Sequence, residues 1–260
     1  MRKDYLLVAK SRTQKKEIDF VEKFWTERWQ KQSIDKLVNN KIEKEAEYPI
    51  LNNYLKRLPK KSRVLDGGCG MGQWTTYYSS KGLKTTGLDI SRETIKRLQS
   101  KFPDEDFVTG DIRKMKFKSN SFDAYFSWGT FEHFESGLDE CFIEAKRVLK
   151  NKGWLIITVP YYNARLRIKD SFNFGNKSKA KTRFYQWRLT KPELRHELER
   201  HGFKVEVIEP IHKAHGLRRL IQHDLKIKPS NWLHRLFLIV LYPIIPKRFT
   251  AHMLMAVAYK

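Results

Sequence analysis

Three aspartates that end successive apolar runs, Asp66, Asp89 and Asp111, are the side chains in this sequence best placed for chemistry. Asp66 follows Val64-Leu65 and precedes Gly67-Gly68-Cys69-Gly70-Met71-Gly72-Gln73-Trp74. Glycines there remove the Cβ atoms that would hold a ligand off the backbone, and the amides opening the next helix are free to meet polar groups. A dinucleotide fingerprint needs G-x-G-x-x-G, whereas Gly68, Gly70 and Gly72 are spaced G-x-G-x-G, with Gln73 where the third glycine would fall. A carboxylate beside the loop would repel a pyrophosphate and suits a ligand carrying an ammonium group. Asp89 lies one βαβ step further on, where one carboxylate can accept hydrogen bonds from two neighbouring ribose hydroxyls.

Strands must position these acids. Val64-Leu65-Asp66 reads as the first, and Lys84 to Asp89 as the second, with Ser91 capping the next helix. Phe107 to Ile112 and Phe122 to Trp128 read as the third and fourth. An apolar stripe of Leu138, Phe142, Ala145, Val148 and Leu149 predicts a helix, followed by a buried strand from Trp154 to Pro160. Thr190-Lys191-Pro192-Glu193 has capping-box spacing and opens a helix through His201, before a strand from Phe203 to Ile208. Met253 to Tyr259 reads as the last strand. In a doubly wound sheet the carboxyl ends of the parallel strands share one edge, so Asp66, Asp89, Asp111 and Trp128 converge there.

The acid and loop resemble motif I of the class I S-adenosylmethionine-dependent methyltransferases, and the feel of the chain is that of the type 11 subgroup. The resemblance covers residues 63 to 160. It implies an α/β fold: a Rossmann-like, doubly wound, seven-stranded sheet, mostly parallel with an antiparallel last strand. It also implies S-adenosylmethionine as cofactor. Asp66, Gly68 and Gly70 would hold its methionine part, Asp89 its ribose, and Asp111 its adenine amino group, with Ile112 against the ring. Trp74, Ile90, Ser127 and Trp128 complete the expected cofactor site. Methyl transfer from a sulfonium needs in-line placement and exclusion of water, with no metal. For a hydroxyl acceptor His133, just past the fourth strand, is the candidate base, and Glu132 a weaker one.

The rest of the 260 residues divides around this core in a single domain. Residues 1–60 form a helical lead-in, with Phe24, Trp25, Trp29 and Leu37 among the apolar positions of 17–58. The core itself takes 61–160, 190–210 and 251–260, and two biased inserts remain at 161–189 and 211–250. The first carries Arg165, Arg167, Lys169, Lys177, Lys179, Lys181, Arg183 and Arg188 against one acid, Asp170, interleaved with Phe174 and other aromatics. Tyr161, Tyr162, Tyr185 and Trp187 are its candidate substrate contacts, the first two as lid residues. The second insert carries Arg218, Arg219, Lys226, Lys228 and Arg235 against Asp224, beside an apolar run from Trp232 to Pro246. That run is too short to span a bilayer and suits either an interfacial helix or a buried one.

Lys+Arg 52 against Asp+Glu 29 gives a net charge of +23, which favours an anionic partner: nucleic acid, membrane surface or acidic small molecule. Ser127-Trp128-Gly129-Thr130 stands where amino-group nucleic-acid methyltransferases carry N-P-P-[YFW]. The expected acceptor is therefore an anionic small molecule, glycan or lipid-linked group, with RNA as the alternative and a non-catalytic nucleotide-binding or membrane-docking protein third. Only Cys69 and Cys141 are present, so neither a zinc cluster nor a disulfide framework is suggested. With no signal peptide or spanning segment in view, the expected location is the cytoplasm, with peripheral contact at the inner face of a membrane.

Overall fold

A computed structural model describes residues 1–7, 17–34, 42–172 and 182–260. Strand β1 (Arg2–Leu7) and helix α1 (Glu17–Gln30) come first, then a single 3-10 turn at Ile42–Lys44 and helix α2 (Tyr48–Leu55). Strands and helices next alternate as β2 (Arg63–Gly67), α3 (Gln73–Ser80), β3 (Lys84–Asp89), α4 (Arg92–Lys101) and β4 (Asp106–Thr109). Strand β5 (Phe122–Trp128) leads to a 3-10 turn at Phe131–His133, helix α5 (Asp139–Val148) and strand β6 (Leu149–Pro160). The remainder is α6 (Ala164–Phe172), β7 (Thr182–Arg188), α7 (Lys191–Arg200), β8 (Lys204–Ile211), α8 (Lys213–His223), α9 (Trp232–Ile244), α10 (Lys247–Thr250) and β9 (Met253–Tyr259).

Seven strands form one sheet in the order β4-β3-β2-β5-β6-β9-β8. The pairs from β4 through β6 are parallel, and β9 runs antiparallel to both β6 and β8. This is the mostly parallel Rossmann-like sheet with an antiparallel last strand that the resemblance implies. The order departs from β2 in both directions, and the crevice at such a reversal is where ligands enter an open α/β sheet.

Helices cover both faces, and period-two alternation along β6 divides its side chains between them. Leu155, Ile157 and Val159 join Phe142 and Ala145 of α5 and Leu194 and Leu198 of α7 on one face. Ile156 joins Leu51 and Leu55 of α2 and Trp74 and Tyr78 of α3 on the other. Helix starts follow their caps: Ser91 Oγ accepts the Thr94 amide, and Thr190 and Glu193 satisfy each other's amides in a capping box.

The lead-in differs from the helical expectation at its start. β1 is a strand, paired antiparallel with β7 so that Arg2 faces Arg188 and Leu6 faces Arg183. β7 alternates, turning Phe184, Gln186 and Arg188 inward, and its aromatic and polar mixture suits a half-buried ribbon. Asp4 fixes the register by accepting from Arg188 Nε at 2.5 Å and Gln186 Nε2 at 3.1 Å. A six-residue strand whose partner lies far along the chain leaves no local signal, which is why the lead-in reads as helix alone. Leu37 of the lead-in and Phe174, Lys177, Lys179 and Lys181 of the first insert lie outside the described residues.

Candidate cofactor and active site

Between β2 and α3 the chain turns through left-handed backbone at Gly68, Gly70 and Gly72, with φ of 77°, 52° and 72°. Side chains are excluded there twice over. A Cβ on Gly68 would stand 2.3 Å from Thr130 Oγ1, and one on Gly70 2.8 Å from the Trp29 ring. Asp89, at the end of β3, holds this loop: its Oδ2 accepts the Gly70 amide and its Oδ1 the Ser91 amide, both at 2.9 Å. Burial pushes the Asp89 carboxyl up, against the pull of those amides. Each oxygen retains a lone pair for a further donor.

Above the loop lies a cavity of about 410 Å³. Gly68, Gly70, Trp74, Asp89, Ile90, Asp111, Ile112, Trp128 and His133 all belong to its wall, brought there from β2, β3, β4 and β5. α1 closes the opposite side with Val21, Trp25 and Trp29. The two indoles stack at 5.3 Å, and Trp25 meets the His133 ring edge-on at 5.1 Å. α1 is held in that position by Arg97, whose guanidinium donates to the carbonyls of Trp29 and Gln32, and by the Thr26–Ser91 hydroxyl pair at 2.7 Å.

The charge of this wall decides what it can hold. Glu45, Glu47, Asp89 and Asp111 line it, and among the described residues no lysine or arginine does, in a chain of net charge +23. An acidic, aromatic chamber favours a cation and disfavours a pyrophosphate. Trp29 Nε1, Trp128 Nε1 and Gln73 Oε1 belong to wall residues, are buried, and have no partner among the described residues. Buried polar atoms left this way point to a polar ligand that completes them. A ligand with a sulfonium, an ammonium, a ribose and a flat base fits these donors and acceptors.

Comparison with known proteins agrees. Residues 65–157 match the family described as Methyltransferase domain. The uncharacterized protein MJ1252 of Methanocaldococcus jannaschii is 31% identical over 196 residues, covering 66% of this chain and 72% of its own length. The chain belongs to the class I S-adenosylmethionine-dependent methyltransferases. A malonyl-[acyl-carrier protein] O-methyltransferase of Hamiltonella defensa is 34% identical to it over 68 residues, 26% of each chain. The solved SAM-dependent methyltransferase of Methanosarcina mazei shares the fold at a TM-score of 0.57 and 19% identity, over 82% of this chain and 97% of the other.

S-adenosylmethionine is accordingly the cofactor of this methyltransferase, and its sulfonium supplies the methyl group. Not every expected contact stands on the cavity wall. Asp66 lies beneath the loop, buried, accepting from Thr75 Oγ1 at 2.8 Å. Ser127 Oγ donates to the Gly67 carbonyl at 2.6 Å and ties β5 to β2. Asp111 is on the wall but shared, since Arg113 grips both its oxygens and reaches Glu17 of α1 at 2.9 Å. Glu132 is buried behind Gly129, whose Cβ position is 3.3 Å from Glu132 Oε1.

The four aromatic candidates of the first insert lie off the wall. Tyr185 offers its carbonyl to His133 Nδ1 at 2.7 Å, and Trp187 Nε1 donates to the carbonyl of Phe134 at 3.0 Å, so both brace wall residues from behind. Tyr161 is buried, and Tyr162 donates to Asp170 at 2.9 Å. Gln73 and Thr130 are wall residues to which the sequence motifs assign no contact, and Trp25 and Trp29 join the wall from among the aromatics of the lead-in.

Burial pushes the Asp66 carboxyl up to about 7, the Thr75 hydroxyl opposing and the Asp89 charge adding. A cationic cofactor favours the ionised acid, so binding releases a proton wherever Asp66 is protonated in the free protein. Affinity should therefore rise by up to about tenfold per pH unit as pH climbs toward 7, then level. Asp66→Asn should flatten that rise. Calorimetric titration across this range checks it, and a flat wild-type profile would detach Asp66 from the ligand's charge.

Proposed function

We propose that this methyltransferase modifies an anionic small molecule, glycan or lipid-linked acceptor that enters beside Gly129. The observation carrying this reading is a crowd of cations outside the chamber wall, linked to Gly129 through Met253, which follows His252 and whose Cε would lie 3.6 Å from a Cβ at Gly129. Arg188 is buried, gives Nε to Asp4, and leaves Nη1 with no partner among the described residues. Its charge and that of Arg219 reach His252, which stacks on His215 at 4.5 Å. Burial first, then the charges of His215, Arg188 and Arg219, hold the His252 imidazole down at about 3. An incoming carboxylate or phosphate would relieve that crowding.

Two buried groups flank Gly129, His133 on the chamber wall and Glu132 behind it. Burial holds His133 down at about 4 despite the Tyr185 carbonyl, so its imidazole is neutral. Because that carbonyl can only accept, Nδ1 carries the proton and Nε2 keeps its lone pair, 3.9 Å from Glu132 Oε1. Burial raises the Glu132 carboxyl to about 8, so it is protonated at neutral pH. For a hydroxyl acceptor, His133 Nε2 receives the proton as the methyl group transfers. His133→Asn should then lower kcat by about 10² to 10⁴ with cofactor affinity little changed. An unaltered kcat would leave His133 as wall only.

The direct test is transfer of labelled methyl groups to cell extract separated into RNA, lipid, glycan and small-metabolite fractions. Label should appear in one of the last three, in an anionic product. Arg188→Gln with Arg219→Gln should raise KM for it while cofactor affinity holds. Label confined to RNA would overturn the acceptor assignment in favour of RNA, whose phosphates the same cations would suit.

A further inference from the structure

The outward face of α9 is apolar along its length. Trp232, Leu236, Ile239, Val240 and Ile244 recur at helical spacing, and Trp232, Ile239 and Ile244 are 70%, 72% and 68% exposed. The inward face is already occupied, with Phe237, Leu238 and Leu241 packed on Leu217 and Ile221 of α8. A helix apolar on both faces belongs in an interior, yet half of this one meets solvent. Its 13 residues span about 20 Å, and no helix among the described residues is long and apolar enough to cross a membrane.

Only cations frame that face. Arg235 lies on the helix, Lys226 and Lys228 precede it, Lys247 and Arg248 follow it, and no acid occurs from Leu225 to Lys260. The acid just before, Asp224, is engaged by Arg165 and Lys169.

We propose that α9 seats in the interfacial layer of a membrane bearing anionic lipid, its apolar row among the acyl chains and its flanking cations at the head groups. A second copy of this chain would set like charges against one another. Nucleic acid would satisfy the cations and leave the apolar row in water. An anionic bilayer answers both. The docked helix is joined to the cofactor chamber through α8, since His212 at the start of α8 bonds Glu47 of the chamber wall at 2.6 Å. The inference stands on this surface and holds for whichever acceptor is methylated.

Sedimentation of the full chain with vesicles of phosphatidylcholine, alone or mixed with phosphatidylglycerol, tests it. Binding to the mixed vesicles should exceed binding to the neutral ones by at least about tenfold, and should fall as salt rises. The triple variant Trp232→Ser, Ile239→Ser, Ile244→Ser should lose binding, and Lys226→Gln, Lys228→Gln, Arg235→Gln should lose the preference for anionic lipid. Both sets are surface positions, so unchanged melting and S-adenosylmethionine affinity confirm intact folds. Negligible binding to both vesicle types would overturn the proposal, as would binding that survives the triple serine variant. A concentration-dependent dimer broken by those serines, without vesicle binding, would also overturn it and make the face a contact between copies of the chain.

Discussion

Asp89→Ala should reduce affinity for S-adenosylmethionine by at least about a hundredfold, if its carboxylate takes the two ribose hydrogen bonds proposed for it, at roughly 1.5 to 3 kcal/mol each. The same change strips Gly70 N and Ser91 N of their acceptor, so the loop that shapes the chamber loosens as well. Asp89→Asn separates the two effects. The amide can still accept from one backbone donor through its carbonyl, but it brings an NH₂ group where the second donor or a ribose hydroxyl needs an acceptor. Its loss of affinity should fall between the wild type and alanine. Isothermal titration reads affinity and thermal melting reads the loop; wild-type affinity in both variants would remove Asp89 from the cofactor site.

The second large effect is on stability and lies at a helix outside the chamber wall. Gly216 sits inside α8 where a Cβ would be 1.5 Å from the Thr250 carbonyl oxygen and 2.6 Å from its carbon. Alanine ordinarily favours a helix by about 1 kcal/mol over glycine. Here the obstacle is backbone, which no rotamer change can move aside, so α8 and α10 must separate and open the contacts of Leu217 and Ile221 with Phe249. Overpacking of this kind costs about 3 kcal/mol, which outweighs the propensity gain. Gly216→Ala should therefore lower the melting temperature by roughly 5 °C. Equal or higher stability would show that α10 is free to shift.

What was legible in the sequence was local. An acid at a strand end, a capping box over Thr190–Glu193 and the apolar runs of β5, β6 and β9 each write their structure in adjacent residues, and the fold follows them. The candidate chamber is legible only in part, since Asp66, Ser127 and the four aromatics of the first insert lie off its wall. Asp89, Ile90, Asp111, Ile112 and Trp128 stand at or just past strand ends, and all reach its wall. What lay hidden depends on distant chain. The period of α1 marks Trp25 and Trp29 as apolar without saying that Gly70 lacks a side chain to admit Trp29. Likewise β1 is unreadable without β7, and Gln73 registers in sequence only as the residue that spoils a dinucleotide fingerprint.

The hold on α1 bears on how fast the enzyme can cycle. Bonds donated by Arg97 to α1 and by Gln30 of α1 to Glu93, the Thr26–Ser91 hydroxyl pair and the Glu17–Arg113 pair latch the indole wall against the chamber. A methyl donor shielded by that wall would be protected from wasteful hydrolysis, but the demethylated nucleoside left after transfer would be held by the same latch. Its departure would then depend on the opening of these bonds, on the slow timescale of lid motions. Each turnover would then be timed by the residence of the spent cofactor, and trimming Arg97 to alanine would quicken the cycle even as it loosened the grip on fresh donor.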